Sequence, residues 1–231
     1  MVALPMELVL ALDLRRNMVV HGKSGLRETY KPLDWGISPT AEPVGFIQAI
    51  APKYIYIADL DRIEGTGSHD AIIRTCAGLV ERCYVDRGIR SPTDMLAGLH
   101  IENIIGTETG GDDLSRYHGG YLSVDVIHGK VIPSGANPEA VLRSAGEWDF
   151  DGCILLNLGF VGTLEGIGSG SGSLEAWRAA YDGRLLYGGG VASVADLETL
   201  KDAGFDGAII ATALHKGAVP VEWIRRGYCC S

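Results

Sequence analysis

The amino-acid sequence predicts a single (β/α)8 barrel, and three features carry this prediction: its size, its alternation of apolar runs with helical segments, and an internal repeat. The 231 residues suit one barrel near the lower size limit of that fold, with no room for a second domain of ordinary size. Apolar residues make up 46% of the chain and charged residues 21%, which is enough apolar material for a large core. We therefore expect one domain over residues 1–231.

Eight short apolar runs are spaced along the chain and predict eight strands. They cover residues 7–14, 54–59, 82–86, 103–106, 121–126, 153–158, 184–187 and 207–211. Segments with helical periodicity lie among them, at residues 69–81 (capped by Ser68), 138–146, 174–181 and 194–203. Near-continuous apolar strands separated by helices predict a parallel sheet covered by helices, although an open, doubly wound sheet would give the same local pattern.

An internal repeat favours the barrel over the open sheet. Leu12-Asp13 followed by Val19-Val20 returns as Val124-Asp125 followed by Val131-Ile132, and both elements are shifted by 112 residues. Three further pairs recur in the same order: 58–61 with 156–159, 88–91 with 190–193, and 104–107 with 209–212. Such halves are each too small to bury their own sheet. The repeat predicts two (βα)4 half-barrels, about residues 1–118 and 119–231, that close into eight strands.

Charge and hydropathy narrow the possible partners and location. The formal net charge of −9 argues against nucleic acid, which requires clustered Lys and Arg, but backbone amides can still bind a small phosphorylated molecule. The apolar runs are too short to span a bilayer, and no basic region precedes the apolar N-terminal stretch. We expect a cytoplasmic protein that binds neither nucleic acid nor membranes, as a monomer or small homo-oligomer.

The five cysteines show no spacing typical of metal ligands. Cys76, Cys83 and Cys153 lie in apolar contexts and are interpreted as small core residues in a reducing compartment. The pair Cys229-Cys230 could be a redox or metal element, but a frayed, inert tail is favoured because no His or second Cys pair accompanies it. We expect no metal and no cofactor, since a dinucleotide fingerprint is also missing.

The motifs of this chain resemble those of the histidine-biosynthesis barrels HisA and HisF, from about residue 8 to residue 217. The motifs are residues 11–14 with 19–20, 57–61 (IADLD), 88–90 (GIR), 105–107 (IGT), 123–125 (SVD), 162–164 (GTL), 188–191 (GGGV) and 207–214 (GAIIATAL). HisA isomerises ProFAR, a phosphoribosyl formimino aminoimidazole carboxamide ribotide, and HisF is the cyclase that follows it. Each motif is weak alone, and their order, spacing and duplication carry the resemblance.

Asp13 and Asp125 are the candidate catalytic pair. Each ends a predicted strand, at the face where barrels keep their active sites. An aminoaldose-to-aminoketose (Amadori) rearrangement needs an acid to open the furanose ring and a base to take the C2 proton, and two facing carboxyl groups can supply both. The resemblance implies that Asp13 is the base and Asp125 the acid. The alternative is that each caps a following turn or helix.

Thr163 matches the Gly-Thr-Leu motif, and the resemblance implies that it hydrogen-bonds the reacting sugar. The chain departs from the family here, because Phe160-Val161 replaces the Asp that usually precedes this motif. A simple turn residue is therefore an alternative role for Thr163.

The glycine run Gly188-Gly189-Gly190, together with Ala211-Thr212, predicts a phosphate site. Glycines let backbone amides approach phosphate oxygens, and phosphate binding after strands seven and eight recurs in this fold. We expect a Cβ at Gly189 to obstruct the phosphate. The alternative is a tight turn that requires positive φ.

A second phosphate site is expected by symmetry at Gly88, Arg90, Gly106 and Thr107. The family has consecutive glycines before Gly-Ile-Arg, whereas this chain has Asp86-Arg87. Arg87 could bind an anion, and Asp86 would repel one. We expect Asp86 and Arg87 to pair with each other or to bind a group other than phosphate, and we expect poor turnover of ProFAR, which carries a phosphate at each end.

Two loops remain. Residues 21–31 follow the first strand, and in the family this loop folds over the substrate, so Lys23, Arg27 and Lys31 could meet anionic groups; a solvated loop is the alternative. His21 replaces the family's Lys after the first strand, which argues against a cyclase. Residues 166–173 (GIGSGSGS) form a flexible segment, fit for a lid or for slack.

The sequence thus predicts an isomerase doing acid–base chemistry on a phosphorylated sugar amine. One alternative is a paralogue acting on a different phosphosugar, for example in the biosynthesis of a pterin-type one-carbon cofactor. Another is a non-catalytic phosphosugar-binding subunit, against which the two retained acids argue.

Overall fold

The computed structural model describes residues 5–22, 26–164, 166–167 and 173–229. Eight parallel strands form the barrel: β1 (Glu7–Arg15), β3 (Tyr54–Asp59), β4 (Arg82–Asp86), β5 (Ile101–Gly106), β6 (Tyr121–Ile127), β8 (Gly152–Asn157), β9 (Leu185–Gly188) and β10 (Gly207–Ile210). Each pairs with the next, and β10 pairs in parallel with β1, which closes the sheet. The predicted closed α/β barrel is confirmed, and the open sheet is excluded.

Two short antiparallel strands, β2 (Met18–Val20) and β7 (Lys130–Val131), form hairpins with β1 and β6. In the first hairpin Leu14 pairs with Val19, and in the second Val126 pairs with Val131. These pairs are related by the same 112-residue shift as the sequence repeat. The repeat therefore describes a shared hairpin register that follows the first strand of each half.

Helices follow most of the strands and cover the outside of the barrel. They are α1 (Pro43–Ile50), α2 (Leu60–Ile63), α3 (Asp70–Ala77), α4 (Pro138–Ala145), α5 (Leu174–Ala179), α6 (Val194–Asp202), α7 (Thr212–His215) and α8 (Val221–Arg226). Helix α6 begins with a capping box, in which Ser193 Oγ accepts from the Asp196 amide and the Asp196 carboxylate accepts from the Ser193 amide.

The predicted cap of α3 is displaced by one residue. His69, not Ser68, stands at the cap position, although Ser68 Oγ accepts from the Asp70 amide at 3.4 Å and donates to the Asp70 carboxylate at 2.6 Å. The physical reason is Asp59 at the end of β3, which accepts from the His69 amide at 2.8 Å and lies 2.8 Å from its Nδ1. This buried carboxylate fixes where the helix begins.

Two apolar clusters stabilise the fold. One lies between the strands and the helices, and the other fills the barrel lumen with side chains such as Val9, Tyr84, Ile154 and Leu186. Tyr84 and Tyr121 meet edge to face inside this lumen, with ring centroids 5.1 Å apart. The filled lumen leaves the C-terminal ends of the strands to form a site.

Cysteine placement corrects one expectation. Cys76, Cys83 and Cys153 are buried and unpaired, in agreement with their interpretation as core residues. Cys229 is also buried, with 5% of its surface exposed, and its amide donates to the Met6 carbonyl, so the frayed-tail interpretation is wrong for this residue. Cys230 lies outside the described residues. Within the described ranges no helix has the length and apolar character needed to cross a membrane.

Candidate active site

A cavity opens at the C-terminal ends of the barrel strands, and both halves of the chain line it. Its ionisable and hydroxyl-bearing lining includes Asp13 from β1, Tyr56 from β3, Asp86 from β4 and Asp125 from β6. Apolar side chains such as Leu156 also line it. The cavity is therefore a largely apolar pocket with a few convergent polar groups, which is the usual character of a small-molecule site.

The predicted pair, Asp13 and Asp125, lies in this one cavity but in different environments. Asp125 is 3% exposed, and its carboxylate accepts from Ser123 Oγ at 2.6 Å, the Glu108 amide at 3.0 Å and Thr107 Oγ1 at 3.3 Å. Asp13 is partly exposed to the cavity and accepts no hydrogen bond from any described residue. Neither carboxylate caps a helix, so the capping alternative does not describe them.

The pKa values of both carboxyl groups are raised toward neutral pH. Burial raises the pKa of Asp13 to about 7, against the attraction of Arg27 and with a contribution from Asp86. Burial also raises the pKa of Asp125 to about 7, with Asp86 adding to the rise and Ser123 opposing it. Groups with pKa values near the working pH can serve as either acid or base.

Asp86 is a third carboxylate in the same cavity. Its Oδ2 accepts from the Tyr56 hydroxyl at 3.1 Å, and its Oδ1 accepts from the Gly88 amide at 3.2 Å. Burial raises its pKa to about 6, although the Gly88 amide opposes this rise. Burial, followed by the charges of Asp86, Asp125 and Asp13, raises the pKa of Tyr56 well above its ordinary value, so Tyr56 stays a neutral donor among the carboxylates.

Arg27 links the loop after β2 to the far wall of the cavity. Its guanidinium donates to both carboxylate oxygens of Glu108, at 2.8 Å and 2.7 Å, and so forms a bidentate ion pair. Arg27 thus meets an anionic group of the protein itself. Lys31 is exposed and absent from the cavity lining, and Lys23 lies outside the described residues, as do parts of the segment 166–173.

The glycine run after β9 borders the cavity. Gly189 and Gly190 line it with φ of +102° and +82°, while Gly188 packs against Leu156. The amides of Gly189, Gly190 and Val191 donate to no acceptor among the described residues, which leaves them available to an anion. The expectation for the Gly189 Cβ is wrong: it would lie 2.2 Å from the Asn157 carbonyl oxygen, so glycine is required by the neighbouring backbone.

Ala211 and Thr212 line the cavity beside this run, and two histidines accompany them. Thr212 Oγ1 lies 3.4 Å from His21 Nε2. His215 is 8% exposed, and neither of its ring nitrogens has a hydrogen-bond partner within the described chain. Burial, with a contribution from His21, lowers the pKa of His215 to about 4, so its imidazole is neutral at physiological pH.

The residues expected to hold a second phosphate do not line the cavity. The Gly88 amide donates to Asp86, and the Thr107 hydroxyl to Asp125, while Gly106 packs so closely that a Cβ would lie 2.9 Å from Asp125 Oδ2. The Arg90 guanidinium donates to the carbonyls of Gly88 and Ile63. These groups support the carboxylates and the backbone.

Asp86 and Arg87 do not pair with each other. The Arg87 guanidinium turns into the helix layer, where it donates to both oxygens of Asp70, at 2.7 Å and 2.9 Å, and to the Asp94 carbonyl. Successive strand residues point to opposite faces, so Asp86 faces the lumen and Arg87 does not. The expected ion pair is wrong for this reason.

Thr163 lies in the turn after β8, and its hydroxyl donates to the Phe160 carbonyl at 3.0 Å. Its neighbours Gly162 and Leu164 line the cavity, whereas Thr163 does not. This geometry suits the turn alternative, and the role toward the sugar stays a prediction.

The sequence did not predict three polar residues of the cavity: Tyr56, Glu108 and His215. Tyr56 carries a weak signal, because it alternates with Ile55 and Ile57 and so points to one face of its strand. Glu108 directly follows the Ile105-Gly106-Thr107 motif at a strand end, where side chains of this fold commonly reach the site. His215 carries no signal, because its burial beside Trp35 and Phe46 depends on residues far away in sequence.

Known proteins give an independent view of this arrangement. The family model described as histidine biosynthesis protein matches residues 7–220. An uncharacterized protein of Methanocaldococcus jannaschii is 31% identical, over 95% of this chain and 97% of its own length. Phosphoribosyl isomerase A of Streptomyces griseus is 26% identical, over 94% and 95%. A Thermus thermophilus imidazole-4-carboxamide isomerase, whose name contains two phosphoribosyl groups, is 28% identical, over 94% and 97%.

The family match covers nearly the whole barrel, and these relatives are matched along nearly their full length. The chain therefore belongs to the histidine biosynthesis protein family, the family of the HisA and HisF barrels.

Proposed function

We propose that this protein is a HisA-like isomerase that converts an aminoaldose to an aminoketose on a phosphorylated sugar amine. The observation that carries the proposal is the pair of repeat-related acids, Asp13 and Asp125, in one cavity with pKa values of about 7 each. Several relatives matched over nearly their full length are named as isomerases, which supports the same reaction class.

The chemistry assigns one proton transfer to each acid. Asp125 protonates the furanose ring oxygen, the C1–O bond breaks, and the nitrogen lone pair forms a C1=N bond. Asp13 takes the C2 proton, the C2–H electrons form a C1=C2 bond, and the C=N electrons return to nitrogen. Tautomerisation then delivers a proton to C1 and leaves a ketone at C2. The Asp86 charge favours the protonated form of both acids, and the Arg27 charge opposes this at Asp13, so Asp13 suits a base and Asp125 an acid.

The phosphate of the substrate is assigned to the turn after β9. The amides of Gly189, Gly190 and Val191 lack acceptors in the described chain, and Thr212 lies beside them. Backbone amides bind phosphate oxygens without requiring a lysine or arginine. Binding there would direct the sugar toward the acids at the centre of the cavity.

The test uses glycosylamines formed from ribose 5-phosphate and simple primary amines, in deuterated water. An enzyme that takes the C2 proton should exchange it with solvent and release an aminoketose that carries deuterium at C1, detected by NMR. We expect Asp13→Asn and Asp125→Asn each to lower this exchange by at least about 100-fold while the protein stays folded. Asp182→Asn, at an exposed acid before β9, is the matched control and should leave exchange unchanged.

Two outcomes would contradict the proposal. Retained exchange in both Asn variants would show that other groups move the proton. Phosphate-dependent binding with no exchange by the wild-type protein would favour a non-catalytic binding subunit. If the natural substrate is a different phosphosugar, for example in pterin-type cofactor biosynthesis, its reaction should still depend on both acids.

A further inference from the structure

We infer that the substrate carries one phosphate only, and that its opposite end presents an amine or another N–H donor to Asp86. This inference rests on the proposed function, since it concerns the same cavity, and it names the class of substrate. The relevant wall is formed by the ends of β4 and β5, which lie across the barrel from the glycine run after β9.

The first step is that most donors of this wall are already engaged in the described part of the chain. Two side-chain donors without a partner, Arg87 Nε and Thr109 Oγ1, belong to residues that do not line the cavity. The Gly88 amide is taken by Asp86, and the Glu108 amide and Thr107 hydroxyl are taken by Asp125. The guanidinium groups nearby are also engaged: Arg87 binds Asp70, and Arg90 binds backbone carbonyls. A phosphate at this wall would have to break these contacts in order to use these donors.

The second step concerns what the wall offers instead. The Asp86 carboxylate has about four lone-pair positions, and the hydroxyl of Tyr56 and the amide of Gly88 occupy two of them. Asp86 is only partly buried, and it lines the cavity. The remaining acceptor positions can therefore receive hydrogen bonds from a ligand.

The third step is the charge of the cavity. Four acids line it, Asp13, Asp86, Glu108 and Asp125, whereas Arg27 is the one Lys or Arg in the lining that the structure describes. Arg27 is held in a bidentate ion pair with Glu108. A phosphate beside Asp86 would be repelled, and a cationic or N–H-bearing group would be attracted, most strongly in a pocket shielded from water.

A separate observation indicates that a ligand occupies the other end of this cavity. His215 is more than nine-tenths buried, lines the cavity, and has no partner for either ring nitrogen in the described chain. Buried polar atoms without partners are rare, and an absent ligand is one of their ordinary explanations. The cavity thus has an anion-accepting end near β9 and β10 and an N–H-accepting end near β4.

The test compares three straight-chain probes, each tried in several chain lengths: an alkyl phosphate, the same chain with a terminal amine, and the same chain with a second terminal phosphate. Binding is measured by calorimetry with the full-length protein near neutral pH. We expect the amine probe of the matching length to bind at least about tenfold more tightly than the alkyl phosphate, because a charge-assisted hydrogen bond forms. The bisphosphate should bind no more tightly than the alkyl phosphate.

Asp86→Asn should abolish the preference for the amine and leave the affinity for the alkyl phosphate unchanged, which also shows that the variant is folded. Tyr56→Phe removes a donor to Asp86 but keeps its charge, so the preference should persist. A wild-type protein that binds the bisphosphate best, or an amine preference that survives in Asp86→Asn, would overturn the inference alone. If not even the alkyl phosphate binds, the proposed phosphate site fails, and the inference falls with it.

Discussion

The two candidate catalytic acids differ most in what surrounds each carboxylate. Asp125 accepts three hydrogen bonds, whereas Asp13 accepts none from the described residues and has only the charge of Arg27 in its favour. A carboxylate in a largely apolar cavity and without donors is costly once it ionises. The position of Asp13 therefore lowers the stability of the folded protein once its carboxyl group ionises, a cost that the proposed role as a base would explain.

This cost depends on pH. The folded-state pKa of Asp13 is raised to about 7 from 3.8, so between these values the folded protein holds a proton that the unfolded chain has lost. The free energy of unfolding therefore falls as the pH rises through this window, and the full penalty applies above about pH 7.

Asp13→Asn should remove this penalty. At about pH 8 we expect a gain of about 1–3 kcal/mol, or a melting temperature higher by roughly 2–12 °C, with a much smaller gain near pH 4. Thermal unfolding at both pH values measures the difference, with Asp182→Asn as the control. An equal gain at the two pH values would show that ionisation is not the cause.

At the residue scale, the sequence was sufficient to predict that Asp13 and Asp125 lie in one site, because the repeat points to both. It was not sufficient to predict that Tyr56 and Glu108 lie in the cavity, or that Arg87 pairs with Asp70. Those contacts join residues 17 to 81 positions apart, and they depend on which side of a strand or loop each side chain takes. A motif gives neighbours along the chain, whereas hydrogen bonds form between neighbours in space.

At the element scale, the turns after the strands explain why glycine appears where it does. Gly189 combines φ of +102° with an Asn157 carbonyl oxygen 2.2 Å from the position of a Cβ. Gly217, after α7, also has positive φ (+73°), but a Cβ there would meet nothing within 4 Å. A comparison of the two positions therefore distinguishes the cost of a positive φ from the cost of a steric clash.

Gly189→Ala should therefore destabilise the protein far more than Gly217→Ala. We expect a loss of about 1 kcal/mol for Gly217→Ala, from the positive φ alone. For Gly189→Ala we expect at least roughly 3 kcal/mol, because the β8 end must also move. Denaturant unfolding of both variants measures the two losses. Similar losses would mean that the contact with Asn157 relaxes freely.

The elements themselves were largely predictable. All eight barrel strands occur within two residues of their predicted bounds, because a strand buried on both faces has a plain apolar signature. The start of α3 was not predictable, since it depends on the Asp59 carboxylate of β3, which accepts from the His69 amide. Helix α7 is only four residues long, too short to produce a periodic pattern.

At the scale of the whole molecule, one end of the barrel holds the candidate site and the other end holds a cluster of side chains that stabilises the fold. The C-terminal end holds the cavity and the acids with raised pKa values. At the N-terminal end, Glu7 of β1 is 8% exposed and accepts from Arg82 at 2.8 Å, Arg184 at 2.8 Å and Tyr84 at 2.7 Å. This cluster ties β1 to β4 and to the residue before β9, so one carboxylate joins strands from both halves.

Glu7→Ala should lower stability without changing the site. Removing the carboxylate leaves two arginines partly buried without their anion, which costs about 3–5 kcal/mol, or roughly 6–20 °C in melting temperature. Glu147→Ala, at an exposed acid outside the barrel, should change stability by less than about 0.5 kcal/mol. Affinity for the alkyl phosphate should stay unchanged in both variants, because Glu7 lies at the opposite end from the cavity. A Glu7→Ala protein that keeps its melting temperature, or that loses phosphate affinity while still folded, would show that the two ends are not independent.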